Sequence, residues 1–261
     1  MENKKEYHIL SLSGGKDSTA LAFFMKDNMP EIFEKLEFIF CDTECDLPET
    51  YDYLNKIEVF LNKTIIRIKP ERSFDHIYQI YNQIPAVNCR WCTVELKTKP
   101  FRNFIKNNYS DGIVKMYIGI RADEAWRLKT AKDTDNLKEC HPFVDYNIYK
   151  PDVTAILENV GIDYPDYYKW RERSGCYFCP FQTKKSWLDL YENHPNLYKK
   201  AMSYEFEKGD GMKKNAFYWN TDVSLKDLIK PENIKFVKEK YNKIIPKDNT
   251  LLIKSKLIEI F

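Results

Sequence analysis

Six consecutive residues, Ser13-Gly14-Gly15-Lys16-Asp17-Ser18, combine the groups needed to hold a phosphate. Two glycines let the backbone approach an anion closely, Lys16 adds a mobile positive charge, and the Ser13 and Ser18 hydroxyls can donate to phosphate oxygens. The run lies between an apolar, strand-like segment at 7–13 and a stretch at 18–26 that carries apolar residues at helical density without proline or glycine. A turn so placed aims backbone N–H groups and the positive end of a helix dipole at one spot. Its spacing matches neither the Walker loop nor the dinucleotide fingerprint.

The second chemical pattern is a pair of C-x-x-C motifs, Cys89-Arg90-Trp91-Cys92 and Cys176-Tyr177-Phe178-Cys179, with 83 residues between Cys92 and Cys176. Each pair can bite one metal, and four thiolates suit tetrahedral zinc or a four-iron cluster equally. Redox dithiols are the competing chemistry, but neither pair opens a helix after a strand as a thioredoxin motif does. Both pairs sit in basic, aromatic surroundings: residues 89–106 and 167–187 each hold five cations to one acid, and Tyr167, Tyr168, Trp170, Tyr177, Phe178 and Trp187 are interleaved with the second set. Such a mixture either offsets the charge of a thiolate-bound cluster over an aromatic core or binds the bases and phosphates of a nucleic-acid or other anionic second substrate. Cys140, beside His141, is expected to be an inert, partly buried thiol.

These groups need a scaffold. Further strand signals at 36–41, 64–68 and 114–120 alternate with helical stretches, one of which opens at Leu47-Pro48-Glu49-Thr50 with proline in the first turn, where its missing N–H costs nothing. Strands separated by helices make crossover units, so the expectation is an α/β fold with a doubly wound, mostly parallel sheet over residues 1–150. Helical patterns at 152–159, 184–193 and 196–208 point to a helical C-terminal subdomain over 151–261 that carries the second cysteine pair. Asp42 would end the second strand where a carboxylate can hold a ribose hydroxyl or a magnesium-bound water, and Arg121 and Arg127 follow the fourth strand with forked donors for phosphate or sulfate.

Composition excludes several classes. The 261 residues are 43% hydrophobic and 31% charged with a formal charge of +2, the balance of a folded globule rather than a disordered chain or a wholesale polyanion binder. The N-terminus runs into a strand without an apolar signal core, and no apolar run is long enough to span a membrane, so no membrane partner and a cytoplasmic location are expected, where thiols stay reduced.

The loop resembles that of the PP-loop ATP pyrophosphatases, the adenine nucleotide alpha-hydrolase superfamily with its HUP-like fold. Cys41-Asp42-Thr43 with Leu47-Pro48-Glu49-Thr50-Tyr51, then Lys97-Thr98-Lys99-Pro100, Gly119-Ile120-Arg121-Ala122-Asp123-Glu124 with Arg127, and His141-Pro142-Phe143-Val144-Asp145-Tyr146 extend the likeness to the phosphoadenylyl-sulfate (PAPS) reductase-like branch, over about residues 7–205. The resemblance implies ATP with Mg²⁺ as ligand. It implies nucleotide contacts from Ser13, Gly14, Gly15, Lys16, Asp17, Ser18, Asp42, Thr43, Gly119, Arg121 and Arg127, with Lys16, Asp17 and Arg121 catalytic. Cysteines at comparable stations in adenylyl-sulfate reductases and DNA phosphorothioation enzymes hold a [4Fe-4S] cluster. The resemblance therefore favours that cluster over zinc at Cys89, Cys92, Cys176 and Cys179.

Two departures shape the functional expectation. The reductases' first pair is two adjacent cysteines, whereas two residues intervene here. Their C-terminal Cys-Gly-Leu/Ile-His nucleophile has no counterpart, because no cysteine follows Cys179 and the tail reads Lys254-Ser255-Lys256-Leu257-Ile258-Glu259-Ile260-Phe261. The expectation is an ATP pyrophosphatase that adenylylates an acceptor and releases pyrophosphate, as an activation step for sulfur transfer or for nucleic-acid or nucleotide modification. Sulfonucleotide reduction is the first alternative, and a non-catalytic nucleotide-sensing or nucleic-acid-binding protein the second. No motif identifies the acceptor or the oligomeric state.

Overall fold

Period-two alternation along the first strand, β1 (Lys5–Leu12), sends Ile9 to one face of a sheet and Leu10 and Leu12 to the other, and both faces are covered. The computed structural model describes residues 5–130, 136–171, 175–206, 217–220 and 222–244. After β1 come α1 (Lys16–Asn28), α2 (Pro30–Glu34), β2 (Leu36–Cys41), α3 (Pro48–Leu61), β3 (Ile65–Ile68) and α4 (Phe74–Tyr81). A short helix α5 (Trp91–Thr93) runs through a π-turn, Val94–Thr98, into α6 (Lys99–Asn108), followed by β4 (Gly112–Tyr117), a 3₁₀ segment Ala122–Thr130, β5 (Leu137–Cys140), α7 (Pro142–Asp145) and α8 (Lys150–Val160).

The five strands are all parallel, in the order β3-β2-β1-β4-β5. On one face Leu10, Phe38 and Phe40 pack with Leu21, Phe24 and Met25 of α1, Tyr53, Leu54 and Ile57 of α3, and Val153 and Leu157 of α8. On the other, Ile9, Ile39, Ile68 and Val114 meet Phe101 and Ile105 of α6. This is the doubly wound α/β architecture that the strand–helix alternation implies. The fifth strand is an addition to it. Leu-Lys-Glu-Cys carries no sustained apolar run because β5 is a short edge strand with a neighbour on one side only.

The described residues divide into two compact units: one up to Tyr81 together with Cys89–Cys176, the other Asn82–Asn88 together with the residues from Tyr177 on. The second unit is helical, with α9 (Lys184–Asn193), α10 (Pro195–Met202), α11 (Leu225–Leu228) and α12 (Pro231–Ile244). α9 starts where the Thr183 hydroxyl accepts the Ser186 N–H, and it ends ahead of Pro195, as the sequence implies. Trp187 is fully buried against Tyr198 and Trp219, and the Trp219 indole N–H donates to the Ala201 carbonyl at 2.8 Å. The helix expected at 196–208 is α10 but stops at Met202, where the chain turns so that Phe206 can bridge Phe217; residues 207–208 lie outside the described residues, as do Glu172, Arg173 and the tail from 245 on. No helix among the described residues is long and apolar enough to cross a membrane.

Candidate nucleotide site and cysteine centre

Strand order reverses at β1, whose sequence successor β2 lies on one side and β4 on the other. Ligands of open α/β sheets bind outside the carboxyl ends of the strands at such a switch point. The Ser13–Ser18 turn leaves the end of β1, and Gly119 and Arg121 leave the end of β4, so the fold brings these two motifs together. Gly119 is required there: a methyl on it would lie 2.9 Å from the Asp17 carbonyl oxygen and 3.1 Å from the Ser18 nitrogen. Gly14 has φ +69, and a methyl on it would meet Thr50 Cγ2 at 2.6 Å.

The turn is braced from within. The Ser18 hydroxyl donates to the Gly15 carbonyl and accepts the Ser13 N–H, each at 3.1 Å, and the Thr19 hydroxyl donates to the same carbonyl at 2.9 Å. Ser18 is therefore a loop brace in this arrangement, while Ser13 is exposed at the rim. Gly15 sits at the N-cap of α1 with no side-chain cap, a geometry that presents the first-turn amides to an anion. The Lys16 ammonium lies 5.8 Å from the centre of the Tyr168 ring.

Across the switch point Arg121, 7% exposed, donates to Asp17 at 2.7 Å and grips Asp123 with two bonds of 3.0 and 3.1 Å, with Glu124 at 3.4 Å. Burial works against its charge, but the Asp123 and Asp17 contacts outweigh burial and hold the guanidinium above its ordinary pKa. Arg121 thus ties the β4 exit to the first turn of α1. Arg127 is half exposed and pairs with Glu124 at 2.9 Å. Asp42 and Thr43 build the turn after β2: Asp42 Oδ1 accepts the Tyr51 hydroxyl at 2.7 Å and the Glu44 N–H at 3.0 Å, and the Thr43 hydroxyl donates to Asp46 at 2.8 Å.

That turn leads to the cysteines. Asp46 bridges Cys176 in antiparallel fashion, the Leu47 N–H donates to the Gly175 carbonyl at 2.6 Å, and the Cys176 thiol lies 3.4 Å from Asp46 Oδ1. Arg171, fully buried, donates to the Cys176 carbonyl at 2.6 Å. Lys97 is the residue that sequence reasoning quoted but gave no role. Its ammonium is raised above the ordinary lysine pKa chiefly by Cys176, against burial, with Asp46, Cys41 and Cys92 adding to the effect. A cysteine from each C-x-x-C pair therefore stabilises the charge of Lys97 electrostatically. Lys97 sits in the π-turn, which is closed five residues on rather than four by the Lys99 N–H on the Val94 carbonyl. Cys41 stays a neutral thiol, pushed up to about 11 by burial against the pull of Lys97.

Among the described residues no group of three or more His, Cys, Asp or Glu side chains is gathered as a metal site. The donor chemistry nonetheless fits a thiolate-bound group, and Cys176 is held by its own partners: its carbonyl accepts from Arg171, its backbone bridges Asp46, and its thiol lies against the Asp46 carboxylate. Cys89 and Cys92 flank Trp91, which is buried against Phe74 and Tyr81. Cys179 belongs to the second unit. Cys140 is half-buried at the end of β5 against the core, as expected for a structural thiol. Of the aromatic residues interleaved with charge, Tyr167, Tyr177, Phe178 and Trp187 are buried and form core, so they provide no stacking surface.

The match of residues 7–180 to the phosphoadenosine phosphosulfate reductase domain decides the family. The chain belongs to it. This is a nucleotide-binding family of enzymes, and the PAPS reductase-like resemblance read from the motifs holds. Two uncharacterised proteins of Methanocaldococcus jannaschii are 26% and 25% identical over 204 and 205 residues, covering 76% and 77% of this chain but 41% and 48% of their own lengths. An uncharacterised nin region protein of Escherichia phage lambda is 26% identical over 161 residues, 52% of this chain and 55% of its own. The chain spans about half the length of the curated relatives it matches. Among solved structures it is similar to PAPS reductase from Candida auris, a phosphate complex (TM-score 0.46, 14% identity, 65% of this chain and 80% of that one). It is also similar to the U34-tRNA thiolase NcsA from Methanococcus maripaludis with its [4Fe-4S] cluster (TM-score 0.44, 16% identity, 76% and 70%).

Proposed function

We propose that this chain is a PP-loop ATP pyrophosphatase that adenylylates an acceptor. The observation that carries the reading is the braced Gly-Gly-Lys turn at the switch point, with a glycine at the N-cap of α1 and Arg121 locking the β4 exit to Asp17. An acceptor nucleophile attacks the α-phosphorus of ATP, the bond to the bridging oxygen breaks, and pyrophosphate leaves with the electron pair. Lys16 and the loop amides stabilise the charge that develops on the leaving phosphates, with Mg²⁺ of the substrate sharing that role. Asp17 and Arg121 position the first turn of α1 relative to the β4 exit, and Asp42 and Thr43 hold the neighbouring turn for the ribose side.

Cys89, Cys92 and Cys176, with Cys179 completing the second pair by its spacing in the sequence, would hold a [4Fe-4S] cluster, or zinc in its place. When bound, a cluster supplies one-electron redox capacity, whereas zinc in four thiolates is structural. Lys97 offsets part of the thiolate charge on this side of the fold. The five cations to one acid in each cysteine-bearing segment support an anionic acceptor, for which nucleic acids and nucleotide-like small molecules are the candidates to screen.

The test is pyrophosphate release from Mg-ATP by anaerobically purified protein, screened against RNA, DNA and small anionic acceptors. Acceptor-dependent pyrophosphate and an adenylylated product support the proposal, and absence of ATP binding and turnover with every acceptor rejects it. The family's description favours one second reading, reduction of an adenylyl sulfate, which sulfite release would identify.

A further inference from the structure

One side chain stands between the phosphate loop and the backbone of Cys176. Thr50, fully buried in the first turn of α3, points its methyl at Gly14 and its hydroxyl at Gly175, the residue before Cys176. A methyl on Gly14 would lie 2.6 Å from Thr50 Cγ2, and a methyl on Gly175 would overlap the Thr50 hydroxyl and stand 3.1 Å from Thr50 Cβ. The Thr50 hydroxyl has no hydrogen-bond partner among the described residues, so shape alone carries its contact with Gly175. The same helical turn also holds Gly175 by its backbone. The Thr50 N–H donates to the Leu47 carbonyl at 2.9 Å, and the Leu47 N–H donates to the Gly175 carbonyl at 2.6 Å. A second path joins the same two places. The Tyr167 hydroxyl donates to the Gly14 carbonyl at 3.1 Å, the Arg171 N–H to the Tyr167 carbonyl at 2.8 Å, and the Arg171 guanidinium to the Cys176 carbonyl at 2.6 Å.

We infer that Thr50 is a positioning residue that couples the phosphate loop to the backbone of Cys176, so that an anion bound at the loop tightens the hold on Gly175 and Cys176. The inference rests on the reading that this loop binds phosphate. A loop fixed by an anion leaves Thr50 no room to recede from Gly175, because close-packed atoms transmit a displacement rather than absorb it. The bond between Leu47 and Gly175 then opens less often. Coupling of this kind is reciprocal: whatever fixes Cys176 strengthens anion binding by the same factor. Valine keeps the shape of threonine, whereas serine lacks the methyl that meets Gly14. The coupling should therefore survive Thr50→Val and fail in Thr50→Ser.

Amide hydrogen exchange read by NMR, with and without saturating inorganic pyrophosphate, tests this on the wild type, Thr50→Val and Thr50→Ser, while calorimetry reports binding to each. The Leu47 amide reports the bond to Gly175, and the Lys63 amide, bonded to the Glu58 carbonyl at the far end of α3, is the control. Pyrophosphate should slow Leu47 exchange about fivefold or more in the wild type and in Thr50→Val, and leave Lys63 unchanged. In Thr50→Ser the slowing at Leu47 should be lost although pyrophosphate still binds. Unchanged Leu47 exchange in a pyrophosphate-bound wild type, equal slowing at Leu47 and Lys63, or full slowing in Thr50→Ser overturns the inference. If Thr50→Ser fails to fold or to bind, the other two proteins decide: slowing at Leu47 alone in both supports the inference, and its loss in Thr50→Val overturns it. Failure of every protein to bind pyrophosphate rejects the phosphate reading and the inference with it. Slowing confined to Leu47 in a protein that never releases pyrophosphate from ATP rejects the adenylylation proposal alone.

Discussion

Gly119→Ala probes the junction on which the nucleotide site depends. Gly119 is not in the left-handed region, so alanine adopts its backbone without strain and the whole effect is steric. The added methyl would lie 2.9 Å from the Asp17 carbonyl oxygen, 3.0 Å from the Asp17 carbonyl carbon and 3.1 Å from the Ser18 nitrogen. These are main-chain atoms of the first helical turn and cannot rotate aside as a flexible side chain would, so the β4 exit and α1 must separate by about half an ångström to reach ordinary contact. Overpacking of this kind costs about 1–3 kcal/mol. The separation also moves the loop amides relative to Arg121. Positional errors approaching 1 Å cost about a hundredfold in rate, so half that distance should lower pyrophosphate release about tenfold beyond the stability loss. Urea denaturation gives the first quantity, and calorimetric ATP binding with pyrophosphate release gives the second. Gly161→Ala is the control: φ is +73 with no atom within 4 Å of the added methyl, so it should lose about 1 kcal/mol from the left-handed backbone alone and keep nucleotide affinity. A Gly119→Ala protein with wild-type stability and affinity would refute the close approach of β4 and α1.

Lys16→Ala should fold with little change in melting temperature, because Lys16 is only half-buried, yet lose about two to three orders of magnitude in pyrophosphate release; undiminished turnover in the folded variant rejects its role. Single Cys→Ser variants at Cys89, Cys92, Cys176 and Cys179, prepared without air, should lose metal and melting temperature together. A shared centre would close a loop of 83 intervening residues and contribute several kcal/mol, so full metal content in one pair's variants separates the pairs. Glu205 accepts the Trp219 and Leu225 N–H groups at 2.9 and 2.6 Å, but burial, with Asp227 adding repulsion, raises it from 4.5 to about 7. Between those two values the folded state binds more protons than the unfolded, so stability should fall as pH rises, by about 2 kcal/mol after allowance for partial exposure. Urea midpoints from pH 4.5 to 7.5 should show this slope in the wild type and a flatter one in Glu205→Gln.

Local chemistry made much of this protein legible in its sequence. The Gly-Gly-Lys turn, the crossover alternation and the helical C-terminal region all follow from φ/ψ freedom, apolar periodicity and capping within a few residues. The match of motifs in order was enough to identify the family. Tertiary structure decided what those groups do to one another. The order β3-β2-β1-β4-β5 brings Gly119 and Arg121 to α1 although more than a hundred residues separate them. Arg121 could be read as a surface ion pair or as a phosphate ligand, and only the fold shows it buried between Asp17 and Asp123. The aromatics around the second cysteine pair look alike in sequence, yet most are core, while the Tyr168 ring lies 5.8 Å from the Lys16 ammonium. Lys97 feels the charge of Cys92 and Cys176 together, although 83 residues separate the two cysteines in the chain. The physical reason is common to all four: periodicity and propensity report which face a residue occupies, whereas the partner on that face arrives from a distant segment whose position only the packed sheet specifies.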